Sequence, residues 1–436
     1  MKPVKVGILG LGTVGGGTVN VLKRNAAEIA RRAGRDIIIT RASAKDLNKA
    51  RICDTQGIIL TTDPLDIIND PEIDIVLELI GGAGPIKDLV LKAIENGKHV
   101  VTANKSLLAL HGNEVFAKAS EKGVIVAFEA AVAGGVPIIK AIREGLSGNQ
   151  IQWLAGIING TGNFILTEMR DKGRNFQDVL AEAQALGYAE ADPTFDVEGI
   201  DAGHKLTILA SIAFGIPLQF DKVYTEGITQ ITRDDVEYAE QLGYRIKHLG
   251  IARKTAEGIE LRVHPTLIPA RRLIANVDGV MNAVLVKGDA VGPTLYYGAG
   301  AGAEPTASAV VADVIDVVRA LTTDPENRVP HLAFQADALA DIPVLSPDSF
   351  KTAYYLRLTA EDKPGVLADV TKILADHHIS IEAIIQKEPQ LNKTAVPIIL
   401  LTQITLEKEM NAAIAKIEAL NTVTGKINRI RLETLG

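Results

Sequence analysis

Apolar positions in the first part of the chain keep two rhythms in turn. Short, mostly apolar runs at 4–9, 36–40, 73–80, 99–102 and 124–128 read as strands of a buried sheet. Between them, apolar residues three and four apart predict helices: from just after Gly15 to about 33, then over 63–68, 85–96 and 107–122. Pro137 suits the first turn of one more helix, ending near 145. Strand and helix in alternation predict a doubly wound parallel sheet over residues 1–147.

The rhythm changes at about 148. A strand at 152–159 leads to helices at 164–172, 176–186 and from Gly199 to about 214. A strand-rich region follows, with runs at 249–253, 259–265 and 280–287. This predicts an α+β substrate and dimerisation domain over 148–323, whose helix at 305–322 joins the first domain. Pro325, Pro330, Pro343 and Pro347 then punctuate a linker at 324–349. Beyond it, strands at 354–359, 379–387, 396–405 and 426–432 alternate with helices at 367–377 and 407–420. The order β-α-β-β-α-β is ferredoxin-like and makes 350–436 a small domain of regulatory or dimerising type.

Composition narrows the function without defining it. The 436 residues carry a net charge of −7, and aromatics are 4%, which argues against nucleic acid and against anionic membrane as partners. The apolar run at 396–401 is far too short to span a bilayer. Cys53 is the single cysteine, so no intrachain disulfide forms. With no signal-peptide layout at the N-terminus, a reducing, cytoplasmic setting is expected.

The chemistry begins at Gly10-Leu11-Gly12-Thr13-Val14-Gly15, a GxGxxG between strand and helix. In that context the glycines permit a tight turn, backbone approach to a pyrophosphate and close helix packing, so the domain is Rossmann-type and binds a dinucleotide. After the second strand stand Arg41, Ser43 and Lys45 rather than an acidic residue, a set that favours a ribose 2′-phosphate, hence NADPH over NADH, unless these are plain loop charges. Gly81 and Gly82 end the 73–80 strand where backbone can touch a nicotinamide. Lys105 follows the 99–102 strand, at the sheet edge where open α/β folds bind ligands. Gly160-Thr161-Gly162-Asn163 reads as a turn open to a ligand or as a plain turn, and the glycine loop at 297–306 as a lid. Glu129, before turned backbone, is a cation ligand or a simple turn cap. The eight histidines make no zinc-type cluster.

The densest chemistry lies at 188–209, YAEADPTFDVEGIDAGHKLTIL, with Glu190, Asp192, Asp196, Asp201 and Lys205. Asp201 and Lys205 are four apart and share a helical face. Alone, such a pair is better read as a salt bridge; the rest of the chain shifts the balance toward a functional site.

GLGTVG, TANK at 102–105, FEAAVAGGVP at 128–137, NGTGNF at 159–164 and the long acidic stretch together resemble the homoserine dehydrogenases of the longer bacterial form, and DKPGVLADVTKILADHHISIEAIIQ at 362–386 resembles their C-terminal ACT domain. The resemblance implies reversible, NAD(P)H-dependent reduction of L-aspartate 4-semialdehyde to L-homoserine. It implies Lys205 as proton donor, Lys105 beside substrate and nicotinamide, and Glu190, Asp201, Asp192 and Asp196 in the substrate site. Gly187, Glu190 and Gly302 match cofactor contacts. Glu129 with the backbone of Val132, Gly134 and Val136 matches a sodium- or potassium-type cation site. Asp362, Gly365, Val366, Leu367 and Gln386 fall in the amino-acid-sensing motif, with threonine the implied effector and a homodimer or homotetramer the implied assembly. Where family members often show Val-Arg-Asp-Leu after the second strand, this chain has Ser43-Ala44-Lys45-Asp46-Leu47, which leaves the nicotinamide preference open. Other readings are a different NAD(P)-dependent aldehyde or keto reductase, and a non-catalytic sensor of nucleotide and amino acid.

Overall fold

The computed structural model describes residues 2–386 and 395–436. The chain divides into two compact units: the first holds the chain up to Ile158, Gly203–Val223 and Met281–Ile342, the second Asn159–Ala202, Tyr224–Val280 and Pro343–Gly436.

In the first unit, β1 (Val4–Leu9), β2 (Ile37–Ser43), β3 (Ile59–Thr61), β4 (Ile75–Glu78), β5 (His99–Thr102) and β6 (Val126–Ala127) form a parallel sheet in the order β3-β2-β1-β4-β5-β6. The order reverses between β1 and β4, which leaves a crevice at the carboxyl ends of those strands. Val6, Ile8, Ile75, Leu77 and Val101 are fully buried, as the apolar runs require. Helix Ala303–Ala320 shares that core through Val310 and Val314. One strand escapes the hydrophobic pattern: Gly292–Ala299 pairs antiparallel with Met281–Gly288, which pairs in turn with Ile151–Ile157. Its sequence GPTLYYGA carries glycine and proline because it is half-exposed, and Pro293 is tolerable there. The glycine loop predicted over 297–306 therefore begins only after Ala299.

In the second unit, hairpin Tyr244–Lys254/Ile259–Pro269 continues into the C-terminal strands, for Thr266 and Leu267 pair in parallel with Arg431 and Leu432. From there the sheet runs Val423–Leu432, Lys351–Glu361, Ala395–Thr402, Ile381–Gln386. Residue 387, the end of the predicted 379–387 strand, lies outside the described residues. The C-terminal module is ferredoxin-like, with helices Val366–Asp376 and Glu407–Glu418 covering one face through Val370, Leu374, Met410 and Ile417. Its other face, with Tyr355, Ile399, Leu401 and Ile430, packs on Ile165, Phe176 and Val236 from helices Gly160–Lys172, Phe176–Ala185 and Arg233–Gln241. A sheet covered on both sides explains why 396–401 is a continuous apolar run rather than an alternating one.

Two buried histidines pin the edge of the first sheet. His99 Nδ1 accepts the amide of Ile125 at 2.9 Å, and His331 Nε2 accepts the amide of Val126 at 3.1 Å. Both bonds need an unprotonated nitrogen. Burial, helped by Arg328, pushes His99 down to about 4, and burial with Arg143 and Arg328 does the same to His331, also to about 4. Folded values below the unfolded value mean that the unfolded chain takes up protons first as pH falls. Stability is thus expected to drop from about pH 6.5 toward pH 4, by at most about 3 kcal/mol per histidine. Urea midpoints across that range measure it. His331→Gln, which retains an acceptor, should flatten the slope, and a variant falling as steeply as the wild type contradicts this assignment.

Candidate functional site

The glycine turn owes its shape to contacts in which a side chain has no room. Gly10 has φ +96°, and its amide and that of Leu11 donate to the carbonyl of Ser43 at 3.2 and 3.1 Å. A Cβ on Gly15 would lie 2.2 Å from the Gly10 carbonyl oxygen. At Gly12, by contrast, an added Cβ meets nothing within 4 Å, so space above the turn is open. Helix Thr13–Arg24 starts there and directs its first amides at that space. A pyrophosphate fits this arrangement of tight turn, open cradle and helix N-terminus.

The predicted 2′-phosphate set is rearranged. Strand β2 runs on to Ser43, so Arg41 lies within it, and its guanidinium is held by Asp70 at 2.7 Å. Ser43 is buried, and only Lys45 of the three is exposed. Arg51, which the sequence reading passed over, reaches the turn: it donates to the Leu11 carbonyl at 3.2 Å and to that of Asp46 at 2.6 Å. Nothing local in the sequence distinguishes Arg51 from its charged neighbours.

Gly81 and Gly82 both have left-handed backbone, with φ +85° and +83°. Buried Glu78 organises them: one oxygen accepts the amides of Ile80 and Gly81, the other the Thr102 hydroxyl at 2.7 Å. Asn104 Nδ2 donates to the Gly82 carbonyl at 2.5 Å, while Oδ1 caps helix Lys105–Lys122 by accepting the Leu107 amide. Lys105 is the first residue of that helix, one position earlier than a loop lysine would be. Its neighbour Ser106 meets His204 Nδ1 at 3.1 Å, and His204 adjoins Lys205. Lys205 Nζ donates to the Ile158 carbonyl at 2.7 Å. Ser106 thus ties the first turn of the Lys105 helix to the His204–Lys205 segment, inside the first unit.

The loop of the predicted cation site turns through left-handed Ala133 and Gly134, at φ +53° and +45°. Both Glu129 carboxylate oxygens accept amides, from Ile139 and Lys140, at 2.9 and 2.8 Å. Burial and the neighbouring Asp313 carboxylate push Glu129 up to about 7. Among the described residues no group of three His, Cys, Asp or Glu stands ready for a metal. In this turn the Val136 carbonyl accepts the Ile138 amide at 2.7 Å. The glycine loop is anchored to this turn: Gly135 donates to the Ala299 carbonyl at 3.0 Å, and a Cβ on Gly134 would come within 2.4 Å of the Gly300 oxygen. Gly302, at φ +129°, precedes helix Ala303–Ala320, whose first residue packs against Gly17. These contacts hold the loop where the sequence suggested a free lid.

The acidic stretch belongs to the second unit as far as Ala202. Gly187 (φ +75°), exposed Glu190 and exposed Asp192 form its outer turn. Gln184 Nε2 donates to the carbonyls of Glu190 and Ala191, and Thr161 Oγ1 to that of Tyr188. Hydrogen bonds from Thr194 hold Asp192 below the usual carboxylate range. Asp196 and buried Asp201 both accept from Asn159 Nδ2, each at 2.8 Å. Gly160–Asn163 proves to be the first turn of helix Gly160–Lys172, capped by Asn159, and not an open loop. In the C-terminal module, Asp362, Gly365 and Gln386 are exposed, Leu367 is half-buried and Val366 buried; Gly365 (φ +97°) caps the helix that follows.

A dinucleotide cradle at the switch point of a parallel sheet, with two lysines linked through Ser106 and His204, is the equipment of an NAD(P)-dependent oxidoreductase. Residues 10–129 match the family described as homoserine dehydrogenase, NAD binding domain, residues 137–315 the family homoserine dehydrogenase, and residues 354–420 the ACT domain. The chain is 70% identical over its full length to a homoserine dehydrogenase of Pseudomonas aeruginosa, all of which it covers, and 58% identical over full length to that of Neisseria gonorrhoeae. A crystal structure of a homoserine dehydrogenase from Thiobacillus denitrificans superposes with a TM-score of 0.96 at 70% identity, covering 100% of this chain and 99% of that one. The chain belongs to the homoserine dehydrogenase family, and its activity is that of an NAD(P)-dependent homoserine dehydrogenase.

Proposed function

We propose that Lys205 is the proton donor when L-aspartate 4-semialdehyde is reduced to L-homoserine. The bound nicotinamide supplies hydride to the aldehyde carbon. Charge then builds on the aldehyde oxygen, where an ammonium both stabilises it and delivers the proton. The observation that carries this reading is the Lys205 ammonium held at 2.7 Å by the Ile158 carbonyl, beside His204, which bonds Ser106 next to Lys105. Lys105 adjoins substrate and nicotinamide. Glu190 pairs with the substrate α-ammonium, while Asp201, Asp192 and Asp196 complete the substrate site. The cofactor rests on residues 10–15, with Gly81, Gly82, Gly187 and Gly302 close to it, and Lys45 and Arg51 favouring NADPH over NADH. The turn at 129–136 holds a sodium- or potassium-type cation through backbone oxygens. Threonine binds at the 362–367 turn as effector. The chain works in the cytoplasm as a homodimer or homotetramer, for which the half-exposed strand Gly292–Ala299 offers an edge. Among the described residues no helix is long and apolar enough to cross a membrane.

The test is the fall in reduced-nicotinamide absorbance on adding aspartate semialdehyde, run with NADPH and NADH, with and without threonine. Turnover with both the aldehyde and NADPH, slowed by threonine, is the expected result. No turnover with either nicotinamide removes the reading.

A further inference from the structure

We propose that Asn159 is the positioning residue of the acidic site: one carboxamide fixes the carboxylates of Asp196 and Asp201 relative to each other. Its Nδ2 donates to Asp196 Oδ1 and to Asp201 Oδ2, each at 2.8 Å. Its Oδ1 accepts the Gly162 amide at 2.7 Å and so caps helix Gly160–Lys172. Both amide hydrogens and the oxygen are engaged, so the group cannot rotate without losing at least one bond. Asn159 is 6% exposed and Asp201 is 2% exposed, so no bulk water replaces a lost donor.

Only a neutral donor with an acceptor on the same planar group meets these demands. Asp196 and Asp201 are brought near one another with like charge, and the shared amide hydrogens reduce that repulsion. The peptide preceding this residue has a matching task, since the Ile158 carbonyl receives the Lys205 ammonium. Consecutive residues at the end of strand Ile151–Ile157 thus hold the lysine and, one helical turn earlier, the aspartate. A slip of this segment would disturb both.

The inference rests on the substrate-site role proposed above for Asp196 and Asp201. Asn159→Asp separates bracing from capping. Aspartate caps a helix about as well as asparagine, but it replaces two donors with a third carboxylate. The expected loss is about 100-fold in kcat/KM for aspartate semialdehyde, two charge-assisted bonds at about tenfold each, shared between a raised KM and a lowered kcat. NADPH affinity should stay near wild type, while the thermal midpoint falls because a third carboxylate joins two at a buried position. Part of the rate should return between about pH 8 and about pH 6, because the introduced carboxyl donates once protonated. Asn159→Ser keeps the cap and one short donor and should lose about tenfold. A role as helix cap alone requires Asn159→Asp to be near normal while Asn159→Ala is impaired, and that pattern overturns the proposal. If Asn159→Asp does not fold, Asn159→Ser carries the test, and wild-type kinetics in it overturn the proposal equally. Wild-type protein that fails to reduce the semialdehyde overturns the parent reading and this one with it. An active wild type with a near-normal Asn159→Asp overturns this one only.

Discussion

Lys205→Ala is expected to lower kcat by about 1,000-fold while leaving the dissociation constant for NADPH unchanged. The lysine is a donor only once charge has developed on the substrate oxygen, so its loss falls on the chemical step and not on cofactor binding. Lys205→Arg should rescue little. A guanidinium keeps the charge but does not release its proton near neutral pH, and its fork does not fit a point contact to the Ile158 carbonyl. Stopped-flow single turnovers with NADPH in excess separate chemistry from product release. A kcat within about tenfold of wild type would leave the lysine as a structural partner of Ile158 alone.

The second large effect concerns stability. Arg431→Met should cost about 3–5 kcal/mol, read from the guanidinium chloride midpoint. Arg431 is fully buried. It donates through Nε to Glu407 at 2.8 Å, makes a further close bond to the other Glu407 oxygen, and reaches Glu226 at 2.7 Å and the Tyr224 hydroxyl at 3.1 Å. Burial works against its charge, but Glu407 and Glu226 outweigh burial and hold the guanidinium well above its ordinary value. Removing it leaves Glu407, itself only 2% exposed, with the Arg429 guanidinium at 3.3 Å and the Tyr354 hydroxyl at 2.8 Å as partners and without its bidentate one. The double variant Arg431→Met/Glu407→Gln should recover much of the loss, because it removes the under-paired charge. A single variant that costs under about 1 kcal/mol would mean that Arg429 takes over the Glu407 charge.

Arg431 matters because of where its strand lies. Val423–Leu432 joins the C-terminal module to the hairpin strand Ile259–Pro269, and Glu433 then meets buried Arg262 beside it. Asp235, on helix Arg233–Gln241, receives Arg357, Tyr355 and Asn428 from the same module. These buried ion pairs tie the C-terminal module to the hairpin strand and to helix Arg233–Gln241. The loop after Tyr224 connects them toward the acidic stretch: the Ile228 amide donates to the Val197 carbonyl at 2.9 Å.

Much of this protein was readable from neighbours along the chain. Val4–Leu9 with the glycines after it specified a buried strand and a phosphate turn, because strand period and turn geometry depend on a few consecutive residues. Asp201 and Lys205 could be placed on one helical face from spacing alone. The motifs of the acidic stretch and of the C-terminal sensor pointed to the family that full-length similarity then established. What spacing does not encode is the partner that a polar side chain finds after the chain has folded. Arg41 looked like a phosphate ligand until Asp70 claimed it, and Arg51 looked like nothing until it met the Leu11 carbonyl. Asn159 read as the last residue of a strand, yet it caps a helix and braces two carboxylates about 40 residues away, since burial obliges each polar group to find a bond wherever packing supplies one. The prolines near 343 suggested a detached module, but its sheet still had an apolar second face, and only the packed structure shows the helices that cover it.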